Sequence, residues 1–413
     1  MVFNAEAQRR REAEMVRLGD VCYQVRGVSY KPQDSRDEMA VGYVPLLRAN
    51  NIGENGINYD ELIYVKCECV KDSQILRVGD LLVCASSGSR HLVGKAGKIL
   101  LNRKDTFGAF CKVVRPDISK IDPDFLAQYF QSDYYRKTIA SKAAGANINN
   151  IRSEHLDNLH LPLPSLSEQK RIAGVLDKIS EMKRNVEARL KKLDLLVKAR
   201  FSEMFGDCGE RGMGKCWPCV TMGELATQPL ANGFFAKRDD YNSNGNVCVL
   251  GVVNVVNRMY CKIVDLPKTN ASDVDIKKYS VKWGDMLFCR SSLVKEGIGK
   301  ASIVPRDASP NILFECHVIK LSLDLNRIDP IFAQVQSTRS YFRNQIIAHS
   351  KTATMTTISQ SGISSAKMVI PPLPLQREFA GFVEKVEGLK AAAKKELEKV
   401  DLLYRAKLQE FFG

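Results

Sequence analysis

No apolar run in these 413 residues approaches the roughly 20 needed to cross a bilayer as a helix, so no membrane partner is expected. The opening stretch, MVFNAEAQRRREAEMVRL, is charged throughout and lacks the apolar core of a secretion signal. There is no glycine-rich phosphate loop, because EGIGKAS at Glu296 has neither the spacing nor the length. Histidine is scarce, and His91, His155, His160, His317 and His349 form no metal-ligand spacing. An amino-methyltransferase would carry an Asn/Asp-Pro-Pro-aromatic tetrad; the nearest string, IPPL at Ile370, has neither the polar residue nor the ring. The chain is therefore expected to hold no catalytic residues, no metal and no cofactor of its own.

Cysteine is not scarce, with twelve present. Cys84 and Cys289 sit inside apolar strand-like runs, where a free thiol behaves as a small hydrophobe, and a reducing cytoplasm is the expected setting. CWPC at Cys216–Cys219 has redox spacing, with Cys208 nearby. It precedes a strand-like VTMGEL rather than a helix, however, and a fourth ligand is missing. Trp217 docking the linker is the expected role. Net charge is +14, and a basic chain in this setting most often meets a polyanion, nucleic acid above all.

The chain repeats itself. From Lys170 to Gly206, set against Arg377 to Gly413, 13 of 37 positions are identical without a gap. Upstream, DPDFLAQYFQSDYYRKTI from Asp122 matches DPIFAQVQSTRSYFRNQI from Asp329, and RVGDLLVCASS from Arg77 matches KWGDMLFCRSS from Lys282. The expected class is α+β: two globular mixed heads, 1–164 and 207–371, and two long helices, 165–206 and 372–413. Gly79-Asp80 and Gly284-Asp285 are expected turns feeding short strands, and each Asp-Pro is expected to start a helix of about four turns.

The long segments carry apolar residues every three or four positions. The first has Ile172, Val175, Ile179, Met182, Val186, Leu190, Leu193, Val197, Phe201 and Met204. The second has Phe379, Phe382, Val386, Leu389, Ala393, Leu397, Val400, Tyr404, Leu408 and Phe411. This is a coiled-coil-like stripe, expected to be packing. Connectivity sends the second helix back along the first, so an antiparallel pair and an approximate two-fold relation are expected.

Polar loops in the heads supply donors suited to phosphates and base edges. In the first head the candidates are Arg48, Asn50 and Asn51, then Ser86, Ser87, Ser89 and Arg90, then Lys142, Asn147 and Asn149. In the second they are Asn254, then Arg290, Ser291, Ser292 and Lys295, then Lys351, Thr352, Thr354 and Thr356. Two such heads suit two half-sites on double-stranded DNA.

On PLPSLSEQKRIAGVLDKI and IPPLPLQREFAGFVEKV, the two long helices and the head-helix-head-helix order, the chain resembles the specificity subunit of a type I restriction-modification system. One departure is Leu375, which stands where the first copy has Glu168. The resemblance implies two target recognition domains, each reading half of a split asymmetric site. It also implies an antiparallel helical spacer that docks two modification (methyltransferase) subunits. Those partners would use S-adenosylmethionine, and restriction subunits would add ATP- and Mg-dependent translocation and cleavage. A stand-alone bipartite DNA-binding regulator or adaptor is the alternative, and a protein-interaction scaffold a weaker third.

Overall fold

The computed structural model describes residues 14–53, 56–89, 92–142, 149–206 and 217–413. The chain divides into two compact units, Met1–Arg189 with Ala393–Gly413, and Leu190–Ala392. Each unit holds one head together with part of each long helix.

In the first unit, strands Ala96–Lys98, Leu81–Cys84, Cys111–Pro116 and Cys22–Arg26 form an antiparallel sheet in that order. A second sheet joins Thr106–Phe107, Tyr43–Leu47, Ile63–Lys66 and Ser35–Arg36, its first pairing parallel. The second unit repeats the plan. One sheet is ordered Ala231–Asn232, Val318–Ser322, Asp285–Cys289, Ala301–Ile303, and another joins Lys268–Thr269, Val247–Leu250 and Ile312–Phe314. Each head also pairs its first strand with the proline-rich strand that leaves it, Glu14–Arg17 with His160–Leu163 and Cys219–Thr221 with Lys367–Val369.

The glycine-aspartate turns form as their composition demands. Gly79 and Gly284 take φ of 92° and 93°, left-handed values that favour glycine. Asp122 and Asp329 cap the helices that follow, each side chain accepting from two backbone amides, with Pro123 and Pro330 in the first turn. The single helix expected after each cap is instead two. Pro123–Tyr129 is followed by Asp133–Lys142, and Pro330–Ser337 by Ser340–Ala348. Ser132 restarts the first pair by accepting from the Tyr135 amide at 3.2 Å, while extended backbone at Arg339 breaks the second.

The long helices are Leu166–Phe205 and Leu373–Phe412, 40 residues each, or about 60 Å of helix apiece. Within the first unit Lys183 pairs with Asp401 at 2.8 Å and Arg189 with Glu396. Numbers rise on one helix as they fall on the other, so the strip is antiparallel. Within the second unit Asp194 pairs with Lys390 at 2.7 Å and Arg200 with Glu378 at 3.2 Å, in the same sense. Of the seam residues, Ile172, Ile179, Val186, Val197, Phe379, Val386, Val400 and Leu408 are buried, and Leu190, Leu193, Leu397 and Tyr404 are half-buried.

Four positions of the stripe behave otherwise. Met182 and Leu389 are exposed, and Val175 and Phe382 are only half-buried, whereas Leu176 and Val383, one residue on, are fully buried. The head explains the burial of Leu176 and Val383. Leu176 joins a cluster with Phe125, Tyr129 and Leu159, and Val383 joins the one that holds Phe332 and Ile328. Here the helix must face its head as well as its partner, and the buried arc widens. The helix ends do the same. Phe412 packs 5.1 Å from Phe125, and Phe205, its counterpart in the repeat, lies 4.9 Å from Phe332.

Cysteines follow the sheets. Cys22, Cys84, Cys111, Cys261 and Cys289 are buried and unbridged, while Cys67 and Cys219 are free and exposed. Burial pushes the thiols of Cys22 and Cys111 up to about 12. Iodoacetamide at pH 8 should therefore label Cys67 and Cys219 in the native protein and spare Cys22 and Cys111. Peptide mass mapping reads this directly, and comparable labelling of Cys111 would mean that the sheet interior opens.

Candidate nucleic-acid interface

In each head the two candidate loops, far apart in sequence, meet as a short ribbon. In the first, Ser86–Ser87 pairs antiparallel with Asn149–Asn150, and the Ile151 amide donates to the Ala85 carbonyl at 2.8 Å. Ser86 and Ser87 are half-exposed, Ser89 is exposed, and Lys142 is exposed at the end of its helix. The Ser89 amide donates to Ser87 Oγ at 3.1 Å, which shapes the turn. Arg90 and Asn147 lie outside the described residues, and Asn149 is placed by its backbone alone.

The second head builds a three-stranded version. Ser291–Ser292 pairs with Thr356–Thr357, which also pairs with Lys351–Thr352. Lys295, Lys351, Thr352 and Thr354 are exposed. Arg290 is half-buried, and its Nη1 donates to the Cys316 carbonyl at 3.1 Å. Its backbone carbonyl accepts from the Ile358 amide at 3.1 Å, which fixes the base of the ribbon. Thr356 corrects the expectation: it is buried, and its hydroxyl sits 3.0 Å from that of Thr352. On a strand alternate side chains face opposite sides, and Thr356 takes the inner one.

Asn51 and Asn254 are corrected as well. Asn51 is 1% exposed; its Oδ1 accepts from the Arg48 amide at 2.8 Å, and its Nδ2 donates to the carbonyls of Asn58 and Asp60. Asn254 is buried and accepts from the Gly251 amide at 3.0 Å. The two match in the repeat because both close a turn after an apolar strand; the Asn51 amide is used at both ends, and the Asn254 oxygen is used in the turn. Arg48 is half-buried and donates to the Glu61 carbonyl at 3.2 Å; Asn50 is exposed.

Sequence reasoning missed the role of the glutamine shared by the two helix lead-ins. Gln169 and Gln376 are fully buried. Gln169 Oε1 accepts from the Asp122 amide at 2.7 Å, and its Nε2 donates to the carbonyls of Lys120 and Pro164. Gln376 does the same with the Asp329 amide and the carbonyls of Arg327 and Pro371. Each latches a long helix to the aspartate cap of its own head. The signal was present: one polar residue kept at the same offset inside an apolar stripe. Glu168 pairs with Arg171 at 2.8 Å, whereas Leu375 packs against the core of its head.

Trp217 Nε1 donates to the Phe205 carbonyl at 3.2 Å, tying the segment after the first long helix to that helix's end. Cys208 and Cys216 lie outside the described residues. Among the described residues no group of three or more His, Cys, Asp or Glu side chains could hold a metal ion, and no helix is long and apolar enough to cross a membrane.

Residues 10–194 match the family model for the type I restriction modification DNA specificity domain. The chain is 32% identical over 384 residues to the StySPI specificity subunit of Salmonella potsdam, covering 89% of this chain and 80% of the relative. It is 28% identical over 380 residues to the EcoKI specificity subunit of Escherichia coli K12, with the same coverage. In fold it is similar to the crystal structure of the type I S subunit from M. genitalium, with a TM-score of 0.55 at 14% identity, covering 97% of this chain and 96% of that one. A chain from a solved type I restriction-modification system gives 0.53 at 17% identity, covering 97% of both. Sequence, fold order and the paired helices agree, and the chain belongs to the family of type I restriction-modification specificity subunits.

Proposed function

We propose that this chain is the DNA sequence-recognition subunit of a type I restriction-modification complex, with each head reading one half of a bipartite asymmetric site on duplex DNA. The observation that supports the reading is a ribbon at the same place in both heads that keeps a Ser-Ser strand and changes the strand facing it, Asn150 in one head and Thr357 in the other, with a third strand added in the second. One presents Ser86, Ser87 and Asn150, the other Ser291, Ser292, Lys351 and Thr352. A shared backbone with changed hydrogen-bonding groups is what two readers of different short sequences require.

The chain performs no chemistry in this reading. Methylation with S-adenosylmethionine belongs to two modification subunits, and ATP- and Mg-dependent work to restriction subunits. The helices carry support for docking. The triplet Asp-Leu-Leu recurs at Asp194 and Asp401, and its leucines stay in water: Leu195 and Leu402 are 61% and 68% exposed, and Leu196 and Leu403 46% and 44%. Two equivalent apolar spots on a basic chain suit two copies of one partner.

The test is an exchange of heads. Residues 216–360 are replaced by the same region of a relative, the chain is co-expressed with a modification subunit, and methylated sites are sequenced. One half of the methylated sequence should change while the other stays. If both halves change, or neither does, the heads are not independent readers.

A further inference from the structure

In the second head's ribbon Ser291 lies opposite Thr357 and Ser292 opposite Thr356. The next residue outward on each side is apolar, Leu293 on one and Met355 on the other. Leu293 is 83% exposed, Val294 60% and Met355 37%.

The tip that holds them is built. Ser292 Oγ donates to the Val294 carbonyl at 2.7 Å and accepts from the Val294 amide at 3.3 Å. The Gly297 amide closes onto the same carbonyl at 3.0 Å, and Lys295–Gly297 is a tight helical turn. Aliphatic groups are thus held in water at a polar ribbon, where a partner outside the unit can bury them.

Charge narrows the partner. Lys295 and Glu296 are both exposed on the tip and cancel there, so the tip itself is not a phosphate clamp. Exposed Lys351 lies on the outer strand of the same ribbon, across Thr356–Thr357 from Ser291–Ser292, where it can meet a phosphate. Aliphatic side chains on the same ribbon as such a contact suit an apolar feature in the major groove, and among the four bases only thymine offers one, its C5-methyl group. The first head's residues at this tip are Gly88 and Ser89, so the feature is particular to the second.

We propose that the Leu293–Val294 tip reads the C5-methyl group of a thymine in the half-site recognised by the second head. The proposal rests on that head being a DNA reader, as set out above.

The experiment uses the complex of this chain with a modification subunit, on duplexes carrying its methylated site, with the second head's half assigned by the head exchange. Each thymine of that half, on either strand, is replaced in turn by deoxyuridine, which removes the methyl group and keeps every hydrogen-bonding group. Fluorescence anisotropy should show about a four-fold loss of affinity at one thymine or more, the effect of one buried methyl. In the Leu293→Gly, Val294→Ser double variant, which imports the first head's pair, thymine and uracil should bind alike at that position. No loss beyond about two-fold at any thymine, or a loss that persists in the double variant, overturns the proposal. Sequence-specific binding without a uracil effect would sink methyl reading and leave the recognition role standing. A head exchange that leaves both halves unchanged would instead remove the reading beneath it.

Discussion

Arg115→Met should destabilise the first unit by about 3–5 kcal/mol, the usual cost of stripping one partner from a buried ion pair. Arg115 Nε and Nη2 donate to the two carboxylate oxygens of Asp80, each at 2.7 Å, and the side chains are 5% and 2% exposed. The guanidinium also serves the carbonyls of Ser73 and Ile75. Without it the Asp80 carboxylate stays buried with the Arg77 amide as its remaining hydrogen bond, and two carbonyls lose their donor. Adding Asp80→Asn removes the stranded charge and should recover part of the loss. The second head shows that arginine is not the only solution. There Ser322 Oγ donates to Asp285 at 2.5 Å, the Lys282 amide at 2.9 Å, and burial holds the Asp285 carboxyl above its ordinary range.

The measurement is hydrogen exchange on the strands Leu81–Cys84 and Cys111–Pro116, which pair directly. Their protection should fall by about two to three and a half powers of ten, since each 1.4 kcal/mol is about ten-fold. Both tryptophans, Trp217 and Trp283, lie in the second unit, so tryptophan fluorescence should report little of this change. Unchanged protection would mean that water or a neighbour replaces the guanidinium.

Gln376→Leu is the converse experiment in the second unit, and about 3 kcal/mol or more should be lost there. The leucine fills the space but leaves the Asp329 amide and the carbonyls of Arg327 and Pro371 without partners, each unsatisfied group costing about 1–3 kcal/mol. Gln376→Glu keeps the acceptor for the Asp329 amide, yet loses both donors and buries a charge, so it should fare no better. Here tryptophan fluorescence during urea unfolding is the right probe, because the damaged latch and both indoles share a unit. A midpoint that does not move would show that the latch is not what fastens the helix to its head.

Local chemistry was legible in the sequence by itself. The duplication showed in identical residues at an offset that shifts only slightly along the chain. The aspartate caps, the left-handed glycines and the long helices were readable because capping, positive φ and three-four spacing depend on residues a few positions apart. The family resemblance rested on the same local strings.

The tertiary structure alone decided what depends on distant partners. Sequence could name Ser87 and Asn149 as loop residues, but only strand pairing across 62 positions made them one ribbon. Asn51 and Thr356 read as donors for a ligand until the fold spent or buried them. Arg115 with Asp80, 35 residues apart, and Gln169 with Asp122, 47 apart, carry no local mark of their pairing. Leu176 and Val383 are buried because each head adds a second surface to the helix it holds. A periodic pattern records that a helix has an inner face. How wide that face is, and which polar groups it must satisfy, depends on packing across the chain.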